Sequence, residues 1–235
     1  MRKGQLSMSM HIFRRLSWGL MEIIAIGVAI YFATPYLLFN PALSRLRLNP
    51  SVSLHFPILA IHAGIAGAAL LIGPFQFLTP LRAKYPSVHR LIGRIYIVCV
   101  FIASIAAFFS ALFSVSGFVA QVGFLTLDVL WFYSICQAYV AIRRGQIPVH
   151  RVWMTRNYAL TFGAVMLRAW LYGGIALTIL THSASKTSQS DIYAASAWIS
   201  WVFTLAIAEW VFNQRLLQTF FVKPERVSDR AIASK

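Results

Sequence analysis

Two histidines, His89 and His150, stand in matching surroundings 61 residues apart, and each is followed by arginine. Neutral imidazoles from two helices can ligate a haem iron from its two sides, while neighbouring guanidiniums pair with the haem propionates. The same side chains, together with helix N-termini, can instead hold an anionic lipid or other phosphate with no metal. A third reading, in which the arginines only orient the chain in a membrane and cap helices, accounts for the arginines but not for the matched histidines. The residues alone leave these three alternatives open.

The matched histidines belong to a longer repeat. After the His-Arg pair the register shifts by one residue, so that Arg94 corresponds to Arg156 and Tyr96 to Tyr158. Agreement among residue types that are scarce in so apolar a chain indicates a duplicated two-helix unit, with copies at about 57–115 and 121–180. At the constant offset the coinciding pairs are Gln76 with Gln137, Arg82 with Arg143, Val88 with Val149, His89 with His150, and Arg90 with Arg151.

The composition determines where such a unit must lie. Of the 235 residues, 59% are hydrophobic and 11% are charged, which is more apolar surface than a soluble domain of this size buries. The basic residues form short patches between long apolar runs, a pattern typical of membrane orientation and not of nucleic-acid binding. Six runs are long enough to cross about 30 Å of hydrocarbon: roughly 17–39, 57–79, 91–115, 121–142, 158–180 and 193–216.

The distribution of lysine and arginine predicts the orientation of these six spans. Seventeen lysine and arginine residues precede the first span, follow the last, or lie in the second and fourth connections between spans. Three lie in the connections on the other side. The positive-inside rule then places both termini in the cytoplasm. The segment 222–235 is polar and interrupted by Pro224, which predicts a flexible cytoplasmic tail.

Several polar residues fall inside the predicted spans. Arg168 lies about 15 Å deep if its helix enters the membrane at Tyr158, and Asp128 is the acid within reach by depth, so the sequence predicts an ion pair between them. His62 needs a hydrogen-bond partner, a cofactor or a cavity, and it joins the candidate site. Glu209, near a span end, is expected to pair with the basic connections.

The residues around these positions resemble a known family. The segments HAGIAGAALLIGPFQF from His62, PSVHRLIGRIY, and AIRRGQIPVHRVWMTRNYAL, with LRAW around Arg168, are similar to the bacterial multi-pass proteins named domain of unknown function 2306. The resemblance covers roughly residues 57–172. It implies a bacterial membrane protein of six or seven helices, which we expect in the inner membrane, and it carries no activity with it.

We therefore expect an all-α, polytopic membrane protein, with a six-helix domain at 1–221. The leading functional hypothesis is a b-type haem protein that passes single electrons, with His89 and His150 as axial ligands and a quinone or another redox partner. The alternative is a non-enzymatic binding or transport protein that holds an anion at the same residues. The chain has no phosphate-binding loop and no nucleophile elbow, which argues against an ATP-driven pump or a hydrolase. The candidate site comprises His89, His150, His62, Arg82, Arg90, Arg143, Arg151, Gln76 and Gln137.

Overall fold

The computed structural model describes residues 2–182 and 189–221, with side chains for 19–20, 22–182 and 189–214. The predicted tail at 222–235 lies outside the described residues. Within these ranges the chain forms α-helices and short 3₁₀ segments and no strand, which confirms the predicted all-α class. The helices are α1 (Arg2–Leu37), α2 (His55–Ile72), α3 (Thr79–Lys84), α4 (Pro86–Leu112), α5 (Phe118–Arg143), α6 (Ile147–Leu180) and α7 (Gln189–Phe221).

Five segments of the described chain are long and apolar enough to cross a membrane, and they coincide with the second to sixth predicted spans. The first predicted span corresponds to a shorter apolar stretch, Glu22–Leu37, within α1. The chain thus has the architecture of a polytopic all-α membrane protein. We refer to the end of the bundle that carries the α3–α4 and α5–α6 connections as the basic end, and to the opposite end as the far end.

The two repeat units differ in their connections at the basic end. In the first unit α2 ends at Ile72, continues as a 3₁₀ helix over Gly73–Phe77 and is followed by the short helix α3. Pro74 removes a backbone donor there, which favours ending the α-helix. In the second unit α5 runs through to Arg143, and a tight turn with Gly145 at φ +69° leads directly into α6. Glycine adopts this left-handed conformation without steric cost.

α6 begins at Ile147, eleven residues before the predicted start at Tyr158. The predicted span at 158–180 lies within this helix and leaves out its first turns, because the arginines there interrupt the apolar run. The arginines there occupy one side of a helix whose other side buries Met154 and Asn157 in the bundle. The helix therefore extends out of the apolar layer and carries the repeated polar motif on its first turns.

Helix packing follows the repeat. α2 packs on α4, α5 packs on α6, and α4 packs on α5 between the two units. α1 flanks α2, and α7 lies against α6 and α5. The first and last helices therefore flank the two hairpins.

A buried polar network joins the two units in the core. Tyr96 and Asn157 are fully buried, and the Tyr96 hydroxyl lies 2.7 Å from the Asn157 side-chain oxygen and 3.0 Å from the Thr161 hydroxyl. The indole of Trp131 donates to Thr161 at 2.8 Å, and Asn157 donates to the hydroxyl of Ser134 at 2.9 Å. Buried polar groups that are satisfied in this way fix one arrangement of the helices.

The tyrosine after each repeated motif also packs at the end of α2. A Cβ at Gly73 would lie 2.4 Å from the ring of Tyr158 and 3.1 Å from the ring of Tyr96. The hydroxyl of Tyr158 donates to the carbonyl of Leu70 at 3.3 Å. The absence of a side chain at Gly73 is therefore what lets α4 and α6 approach α2 at this level.

Candidate site at the basic end

His89 and His150 occupy equivalent positions on their helices. Each is the fourth residue of its helix, with a proline in the first turn. The backbone N–H of His89 donates to the carbonyl of Tyr85 at 3.0 Å, and that of His150 donates to the carbonyl of Gln146 at 2.9 Å. The helices that carry them start at the same end of the bundle, so the two histidines lie on one side of the membrane domain.

The two histidines and three arginines lie within electrostatic range of one another at this end of the bundle. The imidazole of His89 interacts electrostatically with His150 and with three guanidiniums, and no acid of the described chain is among these partners. We define the basic cluster as His89, His150, Arg82, Arg90 and Arg151. The site thus carries a large positive charge that no described carboxylate neutralises.

Two buried nitrogens near the cluster have no hydrogen-bond partner among the described residues: Nε2 of Gln76 and Nδ1 of His89. The Gln76 side chain is 8% exposed, and its Oε1 lies 3.0 Å from the position of a Cβ on Gly93. Gly93 follows His89 by one turn of α4, so the Gln76 amide lies against the face of α4 that carries His89. A buried polar atom without a partner is costly, and Nδ1 of His89 is a donor when that nitrogen carries the proton.

His150 has one ring nitrogen fixed by the protein. Its Nδ1 lies 2.8 Å from the carbonyl oxygen of Ala138 on α5. A carbonyl oxygen only accepts, so Nδ1 carries the proton and Nε2 keeps its lone pair in the neutral ring. This is the arrangement in which an imidazole serves as a metal ligand or as a hydrogen-bond acceptor through Nε2.

The remaining predicted site residues are Arg143, Gln137 and His62. Arg143 donates to the hydroxyl of Tyr139 at 3.3 Å on its own helix. Gln137 is half-buried, and its side chain makes no hydrogen bond to a described residue. His62 lies within α2, where its Nδ1 is 3.0 Å from the carbonyl oxygen of Ala103 on α4. The interhelical hydrogen bond expected for a histidine inside the membrane is therefore present at His62.

The predicted ion pair between Asp128 and Arg168 was wrong. Asp128 accepts a hydrogen bond of 2.6 Å from Ser104 on α4, whereas Arg168 donates to the carbonyl of Ala164 at 2.6 Å and lies over the ring of Phe32 on α1. The prediction compared depths along the helices, but the two side chains leave their helices toward different neighbours. Depth alone does not determine the direction of a side chain.

An ion pair does form near the basic end between α6 and α7. Arg156 donates through its second terminal nitrogen to Glu209 at 2.9 Å, and its Nε contacts the other carboxylate oxygen. Glu209 was expected to pair with a basic residue of this face, and this interaction confirms it. Because Glu209 is occupied by Arg156, it does not neutralise the basic cluster.

The repeat did not reveal Asn157, whose counterpart in the first unit is apolar. Nor did the sequence indicate that Arg45, in the loop after α1, stacks on Tyr31 with its guanidinium carbon 3.8 Å from the ring centre. The one available signal was the presence of a basic residue in a loop otherwise poor in charge. Among the described residues, no three His, Cys, Asp or Glu side chains form a group able to hold a metal ion by themselves.

Comparison with known protein families shows which family the chain belongs to. Residues 59–212 match the family described as "Predicted membrane protein (DUF2306)". The chain belongs to this family. The match includes both histidines of the basic cluster and both repeat units almost entirely, and it confirms the resemblance noted in the sequence. No curated protein and no solved structure gave a significant match. Fold and family together identify an integral membrane protein embedded in the lipid bilayer by several spans.

Proposed function

We propose that this protein binds a phosphate-bearing anion at the basic cluster. The observation that carries this proposal is the pair of buried nitrogens on Gln76 and His89 that have no partner among the described residues, next to guanidiniums that no described acid neutralises. An anion with several oxygens can accept hydrogen bonds from these nitrogens and neutralise the guanidiniums at the same time. A neutral ligand supplies acceptors but leaves the charge uncompensated.

The donor set suits a phosphate group. Guanidiniums of Arg82, Arg90 and Arg151 match its oxygens in bidentate geometry, and the Gln76 amide donates from the buried side. The first turns of α4 and α6 add backbone N–H groups that point toward the same end of the bundle. The hydroxyl of Ser87, which accepts from Arg90 at 3.3 Å, orients that guanidinium beside the first turn of α4.

The location of the site suggests the source of the anion. By the positive-inside rule, the basic end faces the cytoplasm of a bacterial inner membrane, whose leaflet presents anionic headgroups. A lipid headgroup would reach the cluster from the side of the bundle, and a free phosphate would reach it from water. Both ligands carry a phosphate group, which is the group that the basic cluster would bind.

A pair of double variants tests the proposal. The purified protein in a nonionic detergent is titrated with phosphatidylglycerol, with phosphatidylcholine and with inorganic phosphate while its Tm is recorded. Phosphatidylglycerol or phosphate should raise the Tm, because a ligand that binds only the folded state stabilises it by mass action. The variant Arg90→Gln/Arg151→Gln should lose the shift with inorganic phosphate and most of the shift with phosphatidylglycerol.

The matched control is Arg143→Gln/Arg144→Gln, which removes the same charge from the same end of the bundle but leaves the basic cluster intact. It should retain the shift. Equal loss in both double variants would mean that only the overall charge of the surface matters, and the proposal of a specific site would be wrong. A response to inorganic phosphate as large as the response to phosphatidylglycerol would assign the site to a free anion.

A second candidate function rests on a different observation. The hydrogen bond between His150 and the Ala138 carbonyl leaves Nε2 of His150 with a lone pair, and His89 lies close enough to interact with that ring. These features support a b-type haem held by the two histidines, which would pass single electrons to a quinone or another redox partner. Protein purified from haem-supplied cells should then show a Soret band that His89→Ala and His150→Ala each remove. His182→Ala, at the far end, is the control. No Soret band in the wild-type protein would eliminate this candidate.

A further inference from the structure

Arg168 is a membrane-embedded guanidinium that no acid of the described chain neutralises. Its terminal nitrogen donates to the carbonyl of Ala164 at 2.6 Å, and its guanidinium carbon lies 4.6 Å from the ring centre of Phe32. Neither partner carries a negative charge. The other groups that interact with it electrostatically are His62 and the phenols of Tyr36, Tyr172 and Tyr193. Asp128, the acid nearest by depth, is bound to Ser104 instead.

The depth of Arg168 makes this arrangement unusual. It lies twelve residues before the end of α6, about 18 Å along the axis, and therefore well inside the apolar layer. A guanidinium keeps its proton in proteins, so it cannot become neutral when it is transferred into hydrocarbon. Charged groups at such depth are paired or face a polar cavity. No acid of the described chain is among the partners of Arg168, so a ligand that carries a negative charge would be stabilised beside it.

A second arginine reaches the same aromatic ring from the far end. The guanidinium carbon of Arg45 lies 5.3 Å from the ring centre of Phe32, and that of Arg168 lies 4.6 Å from it, so the two guanidiniums are within about 10 Å of each other. Arg45 is exposed and also donates to the carbonyl of Tyr31 at 3.4 Å. Both guanidiniums thus lie near Phe32, one from the far-end loop and one from the partly buried Arg168 of α6.

We propose that Arg168 and Arg45 form a second anion-binding site in the far half of the membrane domain, separate from the basic cluster. The ligand class is an amphipathic anion, a carboxylate or phosphate carried on an apolar body. Its charged group contacts the guanidiniums and the tyrosine hydroxyls, and its body lies against the rings of Phe32 and Tyr172, which are 6.4 Å apart. A small hydrated ion would lose its water shell on reaching Arg168 and gain no apolar contact in return.

Probes of one chain length and different charge test the proposal. The wild-type protein in a nonionic detergent is titrated with decanoate, decanol, decyltrimethylammonium and inorganic phosphate while its Tm is recorded. Decanoate should raise the Tm in a saturable manner, and the other three should not. An equal effect of decanol would show that the apolar body alone causes the stabilisation. An equal effect of phosphate would show that the negative charge alone causes it and that the apolar body contributes nothing. Either result would overturn the proposal.

Variants assign the effect to the site. Arg168→Gln should abolish the decanoate shift, and Arg45→Gln should reduce the affinity for decanoate several-fold. Arg47→Gln, an exposed arginine of the same loop, is the matched control and should respond like the wild type. If Arg168→Gln does not fold, Arg45→Gln against Arg47→Gln still decides the question. An unchanged response of Arg45→Gln, or loss of the response in Arg90→Gln/Arg151→Gln alone, would refute the second site.

Discussion

The hydroxyl of Tyr96 on α4 donates a hydrogen bond of 2.7 Å to the side-chain oxygen of Asn157 on α6, and both side chains are fully buried. This contact joins the first repeat unit to the second, directly beneath the turns that carry His89 and His150. The amide nitrogen of Asn157 donates in turn to the carbonyl of Trp131 at 2.9 Å. The relative position of the two histidines therefore depends on a hydrogen-bonded core and not on the loops around them.

Tyr96→Phe should reduce the free energy of unfolding by about 1 to 3 kcal/mol, because it leaves the buried oxygen of Asn157 without its donor. Thermal unfolding in detergent measures the loss. Tyr85→Phe, which removes the hydroxyl of a tyrosine that is 61% exposed, is the control and should change the stability by less than about 0.5 kcal/mol. Equal effects of the two changes would contradict the importance of the buried network.

Gly73→Ala should be destabilising by about 1 to 3 kcal/mol, because the new methyl group would overlap the ring of Tyr158 at the crowded end of α2. Gly67→Ala, within α2, provides the contrast, since its Cβ would lie 3.7 Å from Ala33, an ordinary contact. Alanine also favours the helix at that position. A Tm that falls for Gly73→Ala and stays constant or rises for Gly67→Ala is the expected result.

Asp128→Asn and Arg168→Gln should act independently. The two side chains have different partners, so the double variant should show the sum of the single effects within about 0.5 kcal/mol. A double-mutant cycle on the free energy of unfolding checks this. Recovery of stability in the double variant would show that the two residues interact after all.

The two turn glycines test the orientation of the bundle. Gly117, at φ +90°, lies in the far-end turn before α5, and Gly145 lies in the basic-end turn before α6. Compartment-sensitive reporters inserted at these two turns should give opposite signals, with Gly145 on the cytoplasmic side. The same compartment for both would contradict the span between them.

Hydropathy and the repeat were sufficient to predict most of this fold. Long apolar runs have few alternatives to a helix, because a bilayer offers no partner for free backbone groups. The spacing from Gln76 to His89, repeated in the second unit, located the equivalent histidines on one end of the bundle. What the pattern did not predict is the difference between the two connections, since the same number of residues forms α3 in one unit and the end of α5 in the other.

Side-chain partners were harder to predict than helices. Arg82, Arg90 and Arg151 do lie around His89, but Arg143 bonds to Tyr139, and the repeat gave no sign of that difference. Pairing Asp128 with Arg168 failed for a similar reason. A linear sequence gives the depth of a residue at 1.5 Å per position, whereas the neighbour it faces depends on helix rotation, which packing determines.

The two hairpins enter and leave the apolar layer in the same sense, so the repeat is parallel and its approximate symmetry axis runs along the membrane normal. Exchange of conformations between units related in this way leaves the same end of the bundle open. Inverted repeats, in contrast, convert an inward-open state into an outward-open one by such an exchange. The duplication in this chain therefore places the equivalent residues of both units at one membrane face. It supplies no symmetry-based route for alternating access.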